Sequence, residues 1–232
     1  MPEGLPVPGN VNLAHREQAD ESPSGGQLFE GSSRRTIANP PTRRQHEWMA
    51  TEVHNSTPLG SSAPEFSLPD VVTGNTVSLA SLPPSKALLV MFICRHCPYV
   101  VHVREEILRI AQDYQPKGIW IVAISSNDAV AYPDDAPDKL REMAEEHKFP
   151  FPLLFDESQT VARAFDAQCT PDFFLFDGRR RLAYRGRLDE STPGNKLPVT
   201  GREMRNALDA VLGGLGAPAV QKPSIGCSIK WK

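Results

Sequence analysis

Large hydrophobic residues recur at regular intervals only from about residue 61 onward. Residues 1–60 hold roughly half as many of them as the next sixty positions, show no period, and are rich in Pro, Gly, Ser, Asn and Arg. Such a stretch buries too little apolar area to offset the entropy of ordering it, so we predict that 1–60 is disordered. Within this segment Met49 is a candidate start of translation, and the sequence alone does not decide between it and Met1.

From residue 61 the pattern predicts short elements in a definite order. Continuous apolar runs predict strands buried on both faces, period-2 alternation predicts half-buried strands, and spacings of three and four predict helices. Strands are expected at 66–68, 77–79, 87–93, 119–124, 151–155, 173–176 and 182–184, and helices across 98–114, from 137, from about 157 and from about 201. Asp156 with Gln159 and Thr200 with Glu203 match capping boxes for the last two helices.

This order predicts the architecture. Parallel strand–helix crossovers followed by a hairpin and a last helix imply a three-layer α/β sandwich with a mixed sheet. We expect one domain over 61–214 and a tail, 215–232, that packs on it as an extended segment.

Composition excludes several function classes. The formal net charge is −3, which argues against a nucleic-acid partner. No apolar run reaches the roughly 18 residues of a membrane span, so we expect no membrane partner. Ser33-Arg34-Arg35 is not followed by the apolar segment of an export signal, which favours a cytoplasmic location.

The candidate chemistry is Cys94-Arg95-His96-Cys97, between a buried strand and a helix. Free N–H groups and the positive end of the helix dipole favour a thiolate there, and Arg95 and His96 add positive character. We predict that Cys94 is the exposed attacking thiolate with a lowered pKa. Cys97, one turn into the helix before Pro98, would be more buried and would resolve the mixed disulfide.

Other uses of these thiols stay open at this stage. Two cysteines three apart are also half of a zinc site, which Cys169, Cys227, His96 or His102 could complete, or they could be inert core residues. Cys169 and Cys227 are candidate accessory thiols, although buried packing is the simpler interpretation of each. Thr170-Pro171 precedes a strand. We predict that its peptide bond is cis and lies against the Cys94–Cys97 loop, which would leave neighbouring backbone groups free to pair with an extended substrate.

These residues together resemble a known family. The segments Ala63–Leu68, Ile124–Asp128, Phe151–Asp156 and Thr170–Asp177 are similar to those of the thioredoxin-fold superfamily, and more closely of its peroxiredoxin-like branch, the alkyl hydroperoxide reductase/thiol-specific antioxidant (AhpC/TSA) group. The ending 223–232 resembles that of one subgroup sharing Cys-x-His-Cys-Pro. The resemblance spans about 60–232. It implies a thioredoxin-like α/β/α sandwich with a mixed central sheet and an N-terminal β-hairpin.

Two departures from the peroxiredoxin pattern bear on the reaction. If Cys97 is matched to the peroxidatic cysteine, Val90 and Cys94 stand where that pattern has Pro and Thr, and Pro171 stands where it has a peroxide-activating Arg. The dithiol and Thr170-Pro171 match thiol–disulfide oxidoreductases better.

We therefore expect an antioxidant or redox-homeostasis enzyme that uses Cys94 and Cys97 without a cofactor or metal. It would act on protein or small-molecule disulfides and be recycled by an external thiol reductant. The alternatives are a thiol peroxidase that reduces hydroperoxides and a non-catalytic redox-sensing or zinc-holding module.

Overall fold

The computed structural model describes residues 50–52, 56–216 and 218–232. Within them the strands are β1 Ala50–Glu52, β2 Ser67–Pro69, β3 Thr76–Ser78, β4 Ala87–Phe92, β5 Ile119–Ser125, β6 Leu153–Phe155, β7 Cys169–Thr170, β8 Asp172–Asp177, β9 Leu182–Gly186 and β10 Ile225–Ser228. The α-helices are α1 Pro98–Tyr114, α2 Pro137–Glu146, α3 Thr160–Phe165 and α4 Arg202–Leu212.

A five-stranded mixed sheet forms the centre, in the order β6-β5-β4-β8-β9. β4, β5 and β6 are parallel, whereas β8 pairs antiparallel with both β4 and β9. Every residue of the central strand β4 is buried, because both faces of the sheet are covered. The parallel strands β4 and β5 end at the same edge, and the Cys94–Cys97 loop leaves β4 there.

The two faces of the sheet carry separate hydrophobic cores. On one face, Leu89 and Met91 of β4 pack with buried residues of α1, α2 and α4. On the other, Leu88, Val90 and Phe92 pack with α3 and the β2–β3 hairpin. The predicted three-layer α/β sandwich with a mixed sheet and an N-terminal β-hairpin is therefore confirmed.

A second, three-stranded antiparallel sheet has the order β1-β10-β7 and includes the residues just before Pro171. The tail predicted to be merely extended contributes its central strand β10, and β7 is the pair of residues just before Pro171. Sequence analysis missed this sheet, because strands of two to four residues are too short to show a period.

Most of the segment expected to be disordered, and Met49, lie outside the described residues. Where the segment is described, the expectation is wrong. Ala50–Glu52 pairs with β10, and the N–H of Gly60 donates to the carbonyl of Leu182 at 2.8 Å. Backbone pairing orders these residues even though few of them are apolar.

Both predicted capping boxes are also wrong. Gln159 and Gly201 are the N-cap residues of α3 and α4, each with a positive φ and without a side-chain cap. Glu203 pairs with Arg187 instead, and the amide of Gln159 donates to the carbonyls of Ser126 and Lys230. Tertiary contacts thus hold Gln159 and Glu203, whereas the carboxylate of Asp156 still accepts from the N–H of Ala162 in the first turn of α3 at 2.9 Å.

None of the helices in the described ranges is long and apolar enough to cross a membrane.

Shortening the chain should show what β1 contributes. A chain that begins at Met49 keeps β1, whereas one that begins at Ser56 loses the backbone pairing of Ala50–Glu52 with β10. At about 1 kcal/mol for each backbone hydrogen bond, the second chain should be less stable by about 1–3 kcal/mol and melt several degrees lower. Equal melting temperatures for the two chains would contradict this pairing.

Candidate active site

Cys97, rather than Cys94, stands at the start of the helix. It is the N-cap residue of α1, and Pro98 occupies the first helical position, where its missing N–H costs no hydrogen bond. Cys94 lies three residues earlier, just beyond the buried end of β4. The prediction that Cys94 occupies the helix N-terminus is corrected, because the Cys94–Cys97 loop delays the helix until Pro98.

Neither thiol of this pair is exposed. Cys94 is 1% exposed and Cys97 0%, so the prediction of an exposed Cys94 is wrong. The loop packs back against the core formed by α1 and β4. Any substrate must therefore displace part of the protein to reach either sulfur.

Thr170 and Pro171 lie against both sulfurs. The hydroxyl of Thr170 is 3.2 Å from the sulfur of Cys94, and its carbonyl oxygen is 3.1 Å from the sulfur of Cys97. The Thr170–Pro171 peptide bond is cis, as predicted. The backbone beside it is not free, however, because β7 already pairs with β10. The expected open substrate groove is thus filled by the chain's own C-terminal strand.

Cys227 joins the pair, whereas Cys169 does not. The sulfurs of Cys97 and Cys227 are 2.8 Å apart. Cys227 is opposite Thr170 in the β7–β10 ladder, and Cys169 is opposite Ser228. Since neighbouring residues of a strand point to opposite faces, Cys169 points away from Cys97. Its thiol donates to the carbonyl of Pro171 at 3.5 Å, and burial raises its pKa.

The hydrogen bonds among three thiols decide where negative charge is stable. Those of Cys227 and Cys94 with Cys97 lower the pKa of Cys97, and the first-turn N–H of Val100 adds to this effect. The pKa of Cys94 is raised by its hydrogen bond with Cys97, by burial and by the charge of Asp135. The pKa of Cys227 is raised by its hydrogen bond with Cys97 and by burial. The direction for Cys94 is opposite to the lowered pKa expected from the sequence.

A buried carboxylate that sequence analysis missed organises the loop. Asp135, which is fully buried, accepts from the N–H of Arg95 at 2.9 Å and from the amide of Asn127 at 2.7 Å. Its oxygen lies 3.1 Å from Nδ1 of His96, which raises the pKa of that imidazole. Asp135 sits in an acidic turn that looks like ordinary surface in the sequence, and only the fold brings it under the loop.

The zinc set suggested by the sequence does not assemble. Among the described residues, the one group that could hold a metal ion is Cys94, His96 and Asp135, whose ligand atoms lie within 4.8 Å of one another. Cys169 and Cys227 take no part, and Nε2 of His102 is 2.7 Å from the hydroxyl of Ser191. In the Cys94 group, Nδ1 of His96 and the Asp135 carboxylate already contact each other directly.

A small cleft opens next to Pro171, and Tyr99, Arg187 and Asp189 contribute to its polar lining. Burial, together with the charges of Cys227 and Cys97, raises the pKa of Tyr99, which places its hydroxyl in the field of these sulfurs. Tyr99 follows Cys97-Pro98 directly, so its sequence position was the one signal that could have found it.

Replacing Asp135 tests its pairing with His96. A raised folded-state pKa means that this contact stabilises the fold fully below the ordinary histidine pKa of about 6.5 and that the contribution is lost as pH rises through the raised value. Asp135→Asn should therefore lower the melting temperature most on the acid side of neutrality, with a smaller loss in alkali. Asp134→Asn is the control and should cause a smaller loss, because the charge of this exposed neighbour contributes less to the raised pKa of His96. A decrease in the melting temperature of Asp135→Asn that is the same at every pH would contradict the pairing of Asp135 with His96.

Comparison with known proteins places this geometry in a family. A model of the AhpC/TSA family matches residues 59–185, which is more than half of the chain and includes Cys94, Cys97 and the Thr170-Pro171 turn. A search of functionally curated proteins finds no match.

Solved structures give further similarities. An uncharacterized conserved protein from Geobacillus kaustophilus is 54% identical, covering 79% of this chain and 97% of its own, with a TM-score of 0.77. A hypothetical protein from Sinorhizobium meliloti is 48% identical, covering 77% and 97%, with a TM-score of 0.75.

A thiol:disulfide interchange protein of the thioredoxin family from Chlorobium tepidum is 18% identical, covers 68% of this chain and 100% of its own, and has a TM-score of 0.52, which is a similarity of fold. With the family model matched across the sheet and the paired thiols, this chain belongs to the AhpC/TSA family, the thioredoxin-fold group of thiol redox proteins that its sequence resembles.

Proposed function

We propose that the protein is a thiol–disulfide oxidoreductase that uses Cys97 and Cys94 as its dithiol. The observation that carries the proposal is the contact among Cys97, Cys94 and the turn at Thr170-Pro171. Cys97 has a lowered pKa at the N-terminus of α1, and Cys94, with a raised pKa, hydrogen-bonds to it. A nucleophile and a protonated partner thiol are what disulfide exchange needs.

In the first step the thiolate of Cys97 attacks one sulfur of a substrate disulfide. A bond forms between Cys97 and that sulfur, the substrate disulfide breaks, and the other substrate sulfur leaves as a thiolate that takes up a proton. This assignment reverses the order expected from the sequence, in which Cys94 attacked. The reason is that the helix N-terminus and the thiol donors favour the charge on Cys97.

In the second step Cys94 loses its proton and attacks the sulfur of Cys97. The Cys94–Cys97 disulfide forms and the second substrate thiol is released, so two electrons have passed to the substrate. An external thiol reductant then returns the pair to the dithiol. The chain supplies both sulfurs, so this cycle requires no cofactor.

Disulfide substrates are favoured over hydroperoxides by what surrounds Cys97. Activation of a peroxide calls for a cationic donor at the attacking sulfur, and in the described part of the chain no arginine hydrogen-bonds to Cys97. The groups that hydrogen-bond to it are the thiols of Cys227 and Cys94 and the residue Thr170. The buried Arg185 is instead paired with Asp166 and Asp172.

The thiolate assignment predicts a titration. In the reduced protein, the ultraviolet absorbance of a thiolate should develop at a pH well below the roughly 8.5 of a free cysteine. Cys97→Ser should abolish this low-pH transition. Cys227→Ala, which removes the donor, should move it upward by one or more pH units, because a hydrogen bond to a charged group is worth about 1.5–3 kcal/mol. A transition that survives in Cys97→Ser and vanishes in Cys94→Ser would overturn the assignment.

Activity is tested by reduction of insulin disulfides with dithiothreitol as the reductant. The wild-type chain should accelerate the reaction, and Cys97→Ser should lose all acceleration. The double variant Cys94→Ser/Cys227→Ser should lose turnover but accumulate a mixed disulfide through Cys97, since both thiols that contact Cys97 are gone. Cys169→Ser, at the buried thiol that faces away from the site, is the matched control and should stay active.

The same preparations separate the alternatives. Consumption of hydrogen peroxide without insulin reduction would identify a thiol peroxidase. Stoichiometric zinc in the purified protein, with neither activity, would identify a metal-holding module. Either result would overturn the proposed function.

A further inference from the structure

We infer that Cys227, on the chain's own C-terminal strand, is a third redox-active thiol that competes with Cys94 for a disulfide bond to Cys97. The inference rests on the proposed function, since it starts from the disulfide which that reaction leaves between Cys94 and Cys97. Cys227 lies outside residues 59–185, the part of the chain matched by the family model.

The first argument is the position of the sulfur. Sγ of Cys227 is 2.8 Å from Sγ of Cys97, and Cys227 is 2% exposed. Both residues belong to the core that α1 builds against the central sheet. Cys97 is therefore in contact with one thiol from its own loop and with another from a strand 130 residues further along the chain.

The strand that carries Cys227 is held at both ends. Before β10, the hydroxyl of Ser224 donates to the buried carboxylate of Asp172 at 2.8 Å. After β10, the N–H of Ile229 donates to the carbonyl of Gln168 at 2.9 Å. Between these anchors β10 pairs with β1 on one side and β7 on the other. Cys227 is thus fixed in place rather than carried on a free tail.

Gly226 makes this close approach possible. A Cβ atom at Gly226 would overlap with the carbonyl oxygen of Thr170 and would lie 3.1 Å from the nitrogen of Pro171. Only a residue without a side chain lets β10 lie this close to the turn at Thr170-Pro171. Glycine at position 226 therefore allows β10 to place the sulfur of Cys227 in contact with Cys97.

The exchange that this contact permits is balanced within the chain. The thiol of Cys227 loses its proton and attacks the sulfur of Cys97 in the Cys94–Cys97 disulfide. The bond between Cys97 and Cys227 forms, the bond between Cys94 and Cys97 breaks, and Cys94 leaves as a thiolate that takes up the proton. No electrons enter or leave, so the oxidised protein is a mixture of two disulfide isomers that share Cys97.

The second isomer has a consequence for access to the site. β10 covers the backbone of Thr170. A disulfide between Cys97 and Cys227 would therefore hold β10 covalently in that position. The oxidised chain then remains closed to a further extended substrate until a thiol reductant cleaves that bond. The dithiol form holds β10 through hydrogen bonds and packing alone and can release it.

Disulfide mapping tests the inference on the full chain. The reduced protein is treated with one equivalent of diamide, a thiol oxidant, and then alkylated, digested and analysed by peptide mass spectrometry. The wild type should give both the Cys94–Cys97 and the Cys97–Cys227 linkages. Cys94→Ser should lose two of its three remaining thiols to an internal Cys97–Cys227 disulfide. Cys169→Ser is the control and should match the wild type.

The decisive contrary result is a Cys94→Ser chain that gives no internal disulfide or joins Cys97 to Cys169. A wild type that gives Cys97–Cys227 yet fails to reduce insulin would overturn the proposed function and support the contact. Insulin reduction by a wild type whose Cys227 stays fully alkylated would overturn the inference alone.

A second variant removes the approach of the strand rather than the thiol. Gly226→Ala should push β10 away from Thr170, so the Cys97–Cys227 linkage should disappear while Cys94–Cys97 still forms. An unchanged mixture in Gly226→Ala, with a melting temperature close to that of the wild type, would contradict the role given to β10.

Discussion

The site is arranged around the sulfur of Cys97, which shares hydrogen bonds with the thiols of Cys227 and Cys94. These hydrogen bonds need three parts of the chain at once: the loop after β4, the first turn of α1, and β10 against the turn at Thr170-Pro171. A buried thiolate is costly unless donors surround it, and in the proposed reaction the helix N-terminus and the two thiols would stabilise that of Cys97. Displacement of β10 would remove the thiol of Cys227 and leave Cys94 and the helix N-terminus to stabilise the charge.

The buried site explains how a reactive pair can be kept from unspecific chemistry. All four thiols are at most 2% exposed, and the backbone that an extended substrate would use is already paired with β10. In the proposed reaction, displacement of β10 uncovers both the backbone of Thr170 and the sulfur of Cys97, so binding and attack become available together. The charge of Asp135 raises the pKa of Cys94, which suits the protonated resolving thiol that the proposed reaction requires.

Sequence analysis reached the layers, the mixed sheet and the Cys94–Cys97 and Thr170-Pro171 segments, because long apolar runs and the resemblance carry those features. It did not predict the features that depend on contacts between residues far apart in the sequence. The helix across 98–114 was predicted correctly, but Cys94 was assigned to its N-terminus, where Cys97 stands, since the loop before Pro98 has no periodic signal. Asp135 and Cys227 reach the site only through tertiary contacts across dozens of residues, and the pairing of β1, β10 and β7 rests on runs of two to four residues.

The most direct test of the central claim, that Cys97 is the shared sulfur, is a redox titration of the full chain labelled with ¹³C at the cysteine Cβ atoms. The Cβ chemical shift separates a thiol from a disulfide at each of the four cysteines. The account predicts that Cys97 is oxidised in every disulfide-containing species, that Cys94 and Cys227 share the complementary fraction, and that Cys169 stays reduced. An oxidised species in which Cys97 remains a thiol would contradict it.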